Sequence, residues 1–159
     1  MTPKDKEPVK RVEKIIKEFD KNLYVSLLKT SARTALEAAT SLNCDVGAIV
    51  KSLLFKTDNK YALFLIAGDK KASLKKIKKN IKFSDVSMAS AHEVKDITGY
   101  TIGGVSPVGH INNVEIYIDD SLERFDFLFA AAGHPNCIFK ISFLDLKKIT
   151  KGVIEDIIE

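Results

Sequence analysis

Apolar residues near the start of the chain recur every three to four positions, which is the period of an amphipathic helix. They fall at Val9, Val12, Ile15, Ile16 and Phe19. The same period predicts a helix over 73–81, whose lysines face outward. Its inward side chains should be Leu74, Ile77 and Ile81. Two shorter helices are predicted at 34–42 and from 90 to Gly99, since each begins with a capping-box sequence of Thr or Ser followed three residues later by Glu.

Elsewhere the apolar residues alternate with polar ones or form short runs, as they do in β-strands. The segments 49–55 and 61–67 predict a β-hairpin of two buried strands. Shorter strands are predicted at 24–28, 86–88, 114–118, 127–131 and 137–141. Short helical pieces are predicted at 122–125, 145–149 and 153–158. Because the strands come as neighbours and the helices lie at the start, middle and end, we expect an α+β fold: a curved, barrel-like sheet, mixed or mainly antiparallel, surrounded by helices.

The composition is that of one soluble globular domain. The chain has 159 residues, of which 45% are hydrophobic and 29% are charged. No run approaches the roughly twenty apolar residues of a membrane helix, and the first residues lead into no signal-type apolar core. Cys44 and Cys137 are far apart and have no CxxC partner. We therefore expect a cytoplasmic protein with two free thiols and no membrane partner.

Lys51 breaks the apolar pattern of its predicted strand. A period of two places it on the same face as Ile49, Leu53 and Phe55. An ammonium group among apolar neighbours costs desolvation energy unless it meets an anion or reaches water. Lys51 is therefore either a lysine that extends to solvent at the strand edge or one that points into a site for an anionic or carbonyl-bearing ligand. The strand pattern alone favours neither reading.

The formal net charge is only +4, but the lysines are concentrated in one segment. Seven of them lie between positions 70 and 82, with Asp69 as the acid close by. Such a cluster is either an ordinary solvated helix face or a contact for a phosphate backbone. The phosphate contacts would be made by Lys75, Lys76, Lys78 and Lys79.

The segment 98–110, which we call the glycine loop, contains four glycines and Pro107. Gly103 and Gly104 can adopt a positive φ or allow close approach of a ligand, while Pro107 fixes its own φ. Such a loop can point several N–H groups at a phosphate, a carboxylate or a developing oxyanion. By itself it is more typical of an ordinary connection that turns, because it matches neither the Walker pattern nor the dinucleotide fingerprint.

Metal and triad chemistry find little support in the sequence. His92, His110 and His134 have no metal-type spacing to each other or to a cysteine, so we expect no metal site. A serine or cysteine hydrolase stays open, because Ser106 lies in the glycine loop and His110 and His134 both follow glycines. The nucleophile-elbow pattern Gly-x-Ser-x-Gly is nevertheless absent. We therefore expect Ser106 to form hydrogen bonds within the loop ahead of acting as a nucleophile.

Three segments together resemble one known family. They are Ile49-Val-Lys-Ser-Leu-Leu-Phe55, Thr98-Gly-Tyr-Thr-Ile-Gly-Gly-Val-Ser-Pro-Val-Gly-His110 and Ala130-Ala-Ala-Gly-His-Pro135. Their order and spacing are similar to those of the YbaK/EbsC family, the free-standing relatives of the editing domain inserted in bacterial prolyl-tRNA synthetases. The resemblance covers roughly 34–159, so residues 1–33 would add a helix and a strand to a single YbaK-like domain.

The resemblance implies a trans-editing hydrolase that cleaves the ester of a mischarged tRNA, typically tRNA(Pro), by substrate-assisted chemistry without a metal or organic cofactor. Its catalytic residues would be the pocket cation Lys51 and, in the loop whose backbone amides hold the substrate carbonyl or oxyanion, Gly103, Gly104 and Pro107. Substrate contacts would come from Val105, Ser106, His110, Gly133, His134 and Pro135. The implied partner is aminoacyl-tRNA, with prolyl-tRNA synthetase as a further candidate.

The region 131–138 departs from the branch of the family that deacylates Cys-tRNA(Pro), which carries a serine before a Gly-Gly turn and an acid shortly after it. Neither is present here, and the early pocket tyrosine of that branch is replaced near Leu28. The sequence is more similar to branches that remove alanine, serine or threonine. Two other functions stay open: a catalytically inactive tRNA- or synthetase-binding module of the same fold, and a hydrolase of small aminoacyl esters.

Overall fold

A computed structural model describes residues 2–30 and 32–159, and these contain five α-helices and eight β-strands. The helices are α1 (Glu7–Phe19), α2 (Ala35–Leu42), α3 (Leu74–Ile81), α4 (Ala91–Thr98) and α5 (Phe143–Thr150). The strands are β1 (Val25–Leu27), β2 (Ile49–Thr57), β3 (Lys60–Ala67), β4 (Val86–Met88), β5 (Glu115–Asp119), β6 (Leu128–His134), β7 (Cys137–Ile141) and β8 (Val153–Glu155). Within the described residues, no helix has the length and apolar character needed to cross a membrane.

All eight strands form one curled, mixed sheet in the order β1-β7-β6-β2-β3-β5-β8, with β4 pairing to β2 outside this path. The predicted hairpin of β2 and β3 is antiparallel, and β6 and β7 form a second antiparallel pair. Parallel pairs join β2 to β6, β3 to β5 and β5 to β8. The expected α+β fold with a curved sheet surrounded by helices is confirmed.

On the side away from β3, the central strand β2 pairs with β6 at its start and with β4 at its end. Parallel pairing with β6 ends at Val50, and antiparallel pairing with β4 begins at Phe55. The backbone N–H of Ala89 donates to the carbonyl oxygen of Leu54 at 3.1 Å. Residues 51–53 therefore have no strand beside them on that side, and we call this segment the open edge.

Side chains pack on both faces of the sheet. The main core lies on one face, where Val12 of α1, Val94 of α4 and Leu146 of α5 cover the buried residues of the strands. On the opposite face, Ile77 of α3 packs with Phe55 and neighbouring apolar residues. A third, smaller cluster lies beneath α2 and includes Ile49. Every helix therefore has an apolar stripe that the sheet covers.

Short polar residues begin four of the helices. Thr34, Ser73, Ser90 and Ser142 each accept a hydrogen bond from the backbone N–H three residues later. The full capping box predicted at 90–93 is confirmed, because the Glu93 carboxylate also accepts from the N–H of Ser90. At 34–37 only half of the predicted box forms, since the Glu37 carboxylate accepts from the Thr34 hydroxyl instead of its backbone.

Two predictions about local structure are wrong. The segment 153–158 is not helical, because β8 pairs in parallel with β5 and Ile158 bridges to Ala72. Its apolar run is too short to show a period, so a pairing partner distant in sequence decides its structure. Leu74 does not face inward and is 44% exposed, because Ile77 and the half-buried Ile81 form the covered face of α3.

Candidate active site

A cavity of about 530 Å³ lies against the open edge of β2. Its walls come from α2, β2, β6 and the glycine loop, together with the residues at the end of β4. Most of these residues are apolar, and the charged ones are Arg33 and Lys51. No acidic residue of the described ranges lines it. A largely apolar cavity with two cationic side chains suits a small ligand that carries an anionic or carbonyl group.

Lys51 lines this cavity with a half-buried side chain. Its Nζ donates a hydrogen bond to the carbonyl oxygen of Lys70, in the turn that follows β3. Burial lowers the pKa of Lys51, an effect that Asp69 opposes and Lys71 strengthens. The ammonium group is therefore neither extended freely into solvent nor paired with a carboxylate. It is held by the backbone carbonyl of Lys70, a residue that does not itself line the cavity.

An ion pair fixes the turn that holds Lys51. Arg124 Nη2 lies 2.9 Å from Asp69 Oδ1. The hydrogen bond from Arg124 lowers the pKa of Asp69, and the same bond raises the pKa of Arg124. The close fit extends to Gly47, where an added Cβ would lie 2.8 Å from the ring of Phe125. Sequence reasoning missed this pair, because 55 residues separate its members and neither belongs to a motif.

Gly103 and Gly104 are required for different reasons. Gly103 has a φ of +94°, while the nearest atom to an added Cβ would be Pro135 Cγ at 3.6 Å. An added Cβ on Gly104 would lie 2.9 Å from the backbone of His134. One glycine therefore supplies the left-handed conformation and the other allows close approach. Together they seat the glycine loop on the β6–β7 turn and bring Gly103 to the cavity wall.

The glycine loop offers backbone donors at this wall. Gly103 and Val105 both line the cavity, and neither N–H has an acceptor within the described chain. The N–H of Gly104, by contrast, donates to the carbonyl oxygen of Thr101 at 2.9 Å. Unpaired backbone N–H groups that reach a largely apolar cavity can bind a carbonyl oxygen or an oxyanion.

Ser106 and His110 maintain the shape of the loop. Ser106 is fully buried, and its Oγ accepts from the N–H of Val108 at 3.3 Å, as expected for a role within the loop. His110 Nε2 lies 2.7 Å from the carbonyl oxygen of Ser106, so this nitrogen carries the proton. Burial lowers the pKa of His110, although that hydrogen bond opposes the shift. Neither residue lines the cavity, and the buried Pro107 does not line it either.

Of the three substrate contacts predicted at 133–135, one lines the cavity, Pro135. His134 Nδ1 accepts from the N–H of Asn136 at 3.0 Å, and partial burial lowers the pKa of His134. Gly133 has a φ of +90°, and an added Cβ would lie 2.9 Å from the backbone of Pro8. Gly133 and His134 therefore shape the turn and its contact with α1, and the structure does not bring them to the cavity.

Other residues at the cavity were missed by sequence reasoning. Leu36, Met88 and Ile102 line it although each is more than 60% exposed. They come from α2, β4 and the glycine loop, and we call them the apolar rim. Ser52 also lines the cavity, from the open edge. Single exposed apolar residues are common on protein surfaces, so nothing short of the fold itself could have grouped these three.

The cysteines belong to the apolar part of the molecule. Both are free thiols, as expected, and Cys137 is buried and lines the cavity. Burial raises the pKa of Cys44 and of Cys137. A buried, protonated thiol is a poor nucleophile, so Cys137 acts as an apolar residue of the cavity lining.

The predicted basic face lies on α3. This helix packs on Phe55, which is on the same face of β2 as Lys51. The exposed lysines Lys75, Lys78 and Lys79 make no ion pair within the described residues. Lys76 differs, because its Nζ lies 2.9 Å from Asp156 Oδ1. Three of the four predicted lysines are therefore available to an external phosphate.

Asp119, Asp120 and Asp156 bring carboxylate oxygens within 4.8 Å of one another, away from the cavity. The buried Asp119 accepts hydrogen bonds from the backbone N–H groups of Ser121 at 3.0 Å and Ile157 at 2.9 Å. Asp156 is paired with Lys76. The protein itself therefore supplies partners for two of the three carboxylates.

The fold is an α+β domain, and its cavity lies at the unpaired edge of the central strand. The chain belongs to the aminoacyl-tRNA editing domain family, whose sequence profile matches residues 29–149. The predicted family resemblance is thereby confirmed.

Three comparisons place the chain within this family. It is 31% identical over 143 residues to the uncharacterized protein YwhH of Bacillus subtilis (strain 168), covering 89% of this chain and 90% of that one. It is 31% identical over 145 residues to the proline–tRNA ligase of Caldicellulosiruptor saccharolyticus, but spans only 24% of the ligase. A crystal structure of a candidate trans-editing enzyme for prolyl-tRNA synthetase superposes with a TM-score of 0.90 at 33% identity, covering 97% of this chain and 98% of that one.

Proposed function

We propose that this chain is a trans-editing hydrolase that deacylates mischarged tRNA(Pro), with alanine, serine or threonine esters as substrates ahead of the cysteine ester. The observation that carries this proposal is that one cavity is lined by Lys51 and by Gly103 and Val105, whose backbone N–H groups have no acceptor within the described chain. Membership of the editing-domain family supports the class of substrate.

Hydrolysis of an aminoacyl ester passes through a tetrahedral oxyanion. The N–H groups of Gly103 and Val105 would donate to that oxygen, and a single such donor is worth about 3–4 kcal/mol of transition-state stabilisation. Gly104 and Pro107 would keep the loop in the conformation that aims these donors. Lys51 would bind the terminal phosphate or polarise the ester carbonyl, and breaking its bond to the Lys70 carbonyl would free the ammonium for that contact.

The nucleophile is water, which adds to the ester carbon before the bond to the ribose oxygen breaks and that oxygen takes up a proton. No histidine, aspartate or glutamate of the described residues lines the cavity, and Lys51 is assigned to the phosphate or the ester carbonyl as a cation. The proton would therefore be handled by the substrate's own ribose hydroxyl or amine, which is the substrate-assisted reaction that the resemblance implies. The apolar rim would pack against the terminal nucleoside of the tRNA.

The body of the tRNA would contact α3. Lys75, Lys78 and Lys79 are exposed on the helix that covers the Lys51 face of β2, so an acceptor stem lying along α3 would deliver its end towards the cavity. Replacing these three lysines by alanine should weaken tRNA affinity and flatten its salt dependence, because each lost phosphate contact lowers the slope of log K against log salt by about 0.7–0.9. The matched control is the triple alanine variant of Lys10, Lys14 and Lys17, which are exposed on α1. Equal salt slopes for the two triple variants would remove α3 from the interface.

The decisive experiment measures deacylation of tRNA(Pro) charged with alanine, serine, threonine, cysteine or proline. We expect wild-type protein to hydrolyse one or two non-cognate esters and spare Pro-tRNA(Pro). Lys51→Ala should lose at least about 100-fold in kcat/KM, as removal of a preorganised charge from a transition state does. Lys56→Ala, an exposed lysine on the same strand outside the cavity, is the control. Hydrolysis that proceeds equally fast in Lys51→Ala would overturn the site.

Two further outcomes separate the alternatives. Binding of tRNA(Pro) without hydrolysis of any ester would favour an inactive tRNA- or synthetase-binding module. Equal kcat/KM for intact aminoacyl-tRNA and for a minimal aminoacyl-adenosine would favour a hydrolase of small aminoacyl esters. Adding prolyl-tRNA synthetase to the same assay tests whether that enzyme is a partner, since a partner should raise kcat/KM at limiting tRNA.

A further inference from the structure

Ser52 lines the cavity, and its side-chain hydroxyl is buried and makes no hydrogen bond. Its Oγ is one of two buried side-chain polar atoms in the described chain that lack a partner, the other being Arg11 Nη2. A polar atom removed from water without a partner destabilises a folded protein, so such atoms are rare unless a ligand completes them. Of the two, the Ser52 hydroxyl alone belongs to a residue that lines the cavity.

The apolar surroundings of Ser52 on its face of β2 explain why nothing in the protein bonds its hydroxyl. Ser52 is the middle residue of the open edge, beyond the last pair with β6 and before the first pair with β4. Alternation along the strand places its side chain on the face of Val50 and Leu54, opposite to Lys51. Both of those neighbours are buried, apolar and part of the cavity wall.

The rest of this wall is apolar. Ala89, Val94 and Val105 are each at least 90% buried and line the same cavity. A ligand group that reaches this wall would therefore meet methyl groups, and it would meet the Ser52 hydroxyl once that side chain rotates out of its buried position. That hydroxyl can donate one hydrogen bond and accept others, so its best partner is a group that can also do both.

The proposed reaction leaves one part of the substrate for this wall. Lys51, on the opposite face of β2, is assigned to the phosphate or ester, and the loop N–H groups to the carbonyl oxygen. The amino-acid side chain remains, and of the candidate esters serine and threonine carry a hydroxyl there. Alanine would leave the Ser52 hydroxyl buried and unpaired in the complex, and a site built around a hydrogen bond discriminates against the analogue that lacks it.

We propose that Ser52 is a specificity-determining residue whose hydroxyl bonds the side-chain hydroxyl of the esterified amino acid, so that the seryl and threonyl esters are preferred to the alanyl ester. This rests on the proposed function. A thiol is a weak hydrogen-bonding group, so the same contact also disfavours cysteine.

The test compares kcat/KM for Ser-, Thr- and Ala-tRNA(Pro) in wild type, Ser52→Ala and Ser52→Thr. The wild type should prefer serine to alanine, and Ser52→Ala should lower the Ser/Ala ratio by about tenfold, which corresponds to one ordinary hydrogen bond. Ser52→Thr retains the hydroxyl and should retain the ratio. Ser87→Ala changes an exposed serine on the neighbouring strand β4, outside the cavity, and should leave the ratio unchanged.

A ratio that Ser52→Ala does not alter would overturn the proposal. An equal loss for all three esters would do the same, because it would mean that the hydroxyl contacts a group common to all of them, such as the α-ammonium. Failure of wild type to hydrolyse any of the esters would instead refute the proposed function, and this inference with it.

Two measurements do not depend on hydrolysis. The dissociation constants of non-hydrolysable 3′-seryl and 3′-alanyl amide analogues of adenosine should show the same change in ratio. The melting temperature of Ser52→Ala should equal or exceed that of wild type, because the lost hydroxyl bonds nothing in the free protein. A clear fall in melting temperature would instead assign Ser52 a structural role.

Discussion

Arg11 donates its Nε–H to the carbonyl oxygen of Gly109 across 2.7 Å, and so joins α1 to the far end of the glycine loop. The guanidinium also lies over the ring of Tyr100, 5.0 Å from its centre. The Tyr100 hydroxyl in turn donates to the carbonyl oxygen of Val108 at 2.7 Å. A helix that lies entirely before the segment matched by the family profile therefore braces the loop proposed to bind the oxyanion.

Replacing Arg11 by alanine should loosen this loop. We expect a loss of about 1–3 kcal/mol in the free energy of unfolding, because a hydrogen bond from a charged donor to a part-buried carbonyl is removed. Amide hydrogen exchange within 99–110 should accelerate, and kcat/KM for deacylation should fall. Lys10→Ala, an exposed lysine on the same helix, is the control. Unchanged exchange in the loop would show that α1 does not brace it.

The two loop glycines should respond differently to alanine. Gly103→Ala forces a left-handed residue to carry a Cβ in open space, which costs about 1–2 kcal/mol of backbone strain. Gly104→Ala places a Cβ 2.9 Å from the backbone of His134, so the loop must move away from its seat. Gly104→Ala should therefore reduce deacylation more than Gly103→Ala at a similar cost in stability. Denaturant unfolding and kcat/KM for both variants test this, and a larger catalytic loss in Gly103→Ala would contradict it.

Glu93 should make stability depend on acid pH. The backbone N–H of Ser90 and the hydroxyl of Tyr61 lower the pKa of Glu93 from 4.5 to about 2. The folded protein therefore holds the ionised form more tightly than the unfolded chain does. This contribution is complete above pH 4.5 and is lost as pH falls towards 2. Unfolding free energies measured against pH should converge for wild type and Glu93→Gln over that window, because glutamine does not titrate.

The matched variant for this experiment is Glu37→Gln. Glu37 occupies the equivalent position in α2, but its carboxylate accepts only from the Thr34 hydroxyl. A smaller stability difference between wild type and Glu37→Gln is expected at neutral pH. Equal differences for the two glutamates would show that the Ser90 and Tyr61 contacts contribute nothing specific.

Asp120 should act in the opposite sense. Partial burial and the carboxylates of Asp119 and Asp156 raise the pKa of Asp120. Ionised Asp120 is therefore less favourable in the folded protein than in the unfolded chain. Ionisation of Asp120 lowers the free energy of unfolding as pH rises through 3.8 and above. Asp120→Asn should raise the melting temperature at pH 7 and lose that advantage below pH 3.8. Asp126→Asn, at an exposed site outside this cluster, should show no such gain.

Local patterns predicted most of the fold. The long apolar runs of β2 and β3 specified a hairpin, and the Ser90–Glu93 box marked the start of α4, because these signals lie within a few residues of each other. The strand β8 could not be found in this way. Its three residues become a strand only by pairing with β5, and that contact spans more than thirty positions of sequence.

The residues of the candidate site likewise differ in how much of their role local sequence can reveal. Lys51 breaks a local pattern and the glycine pair shapes one, but these patterns alone left an ordinary structural role open. The resemblance of three segments to the family singled these residues out. The sequence could not separate residues that line the cavity from those that support it, and His110 and Gly133 prove to be supporting. Nor could the sequence show that the Ser52 hydroxyl makes no hydrogen bond, because this depends on all the residues that surround it in the folded protein.

The open edge of β2 has a consequence for inhibitor chemistry. An unpaired strand edge presents fixed peptide N–H and C=O groups, and a ligand with its own amide can pair with both. The proposed substrate is an ester and can only accept there. Replacing its ester oxygen by N–H adds a donor at the reacting bond and also removes the easily hydrolysed linkage. We therefore expect amide analogues of the aminoacyl end to complete the ladder of β2 and to compete with the substrate as tight, unreactive ligands.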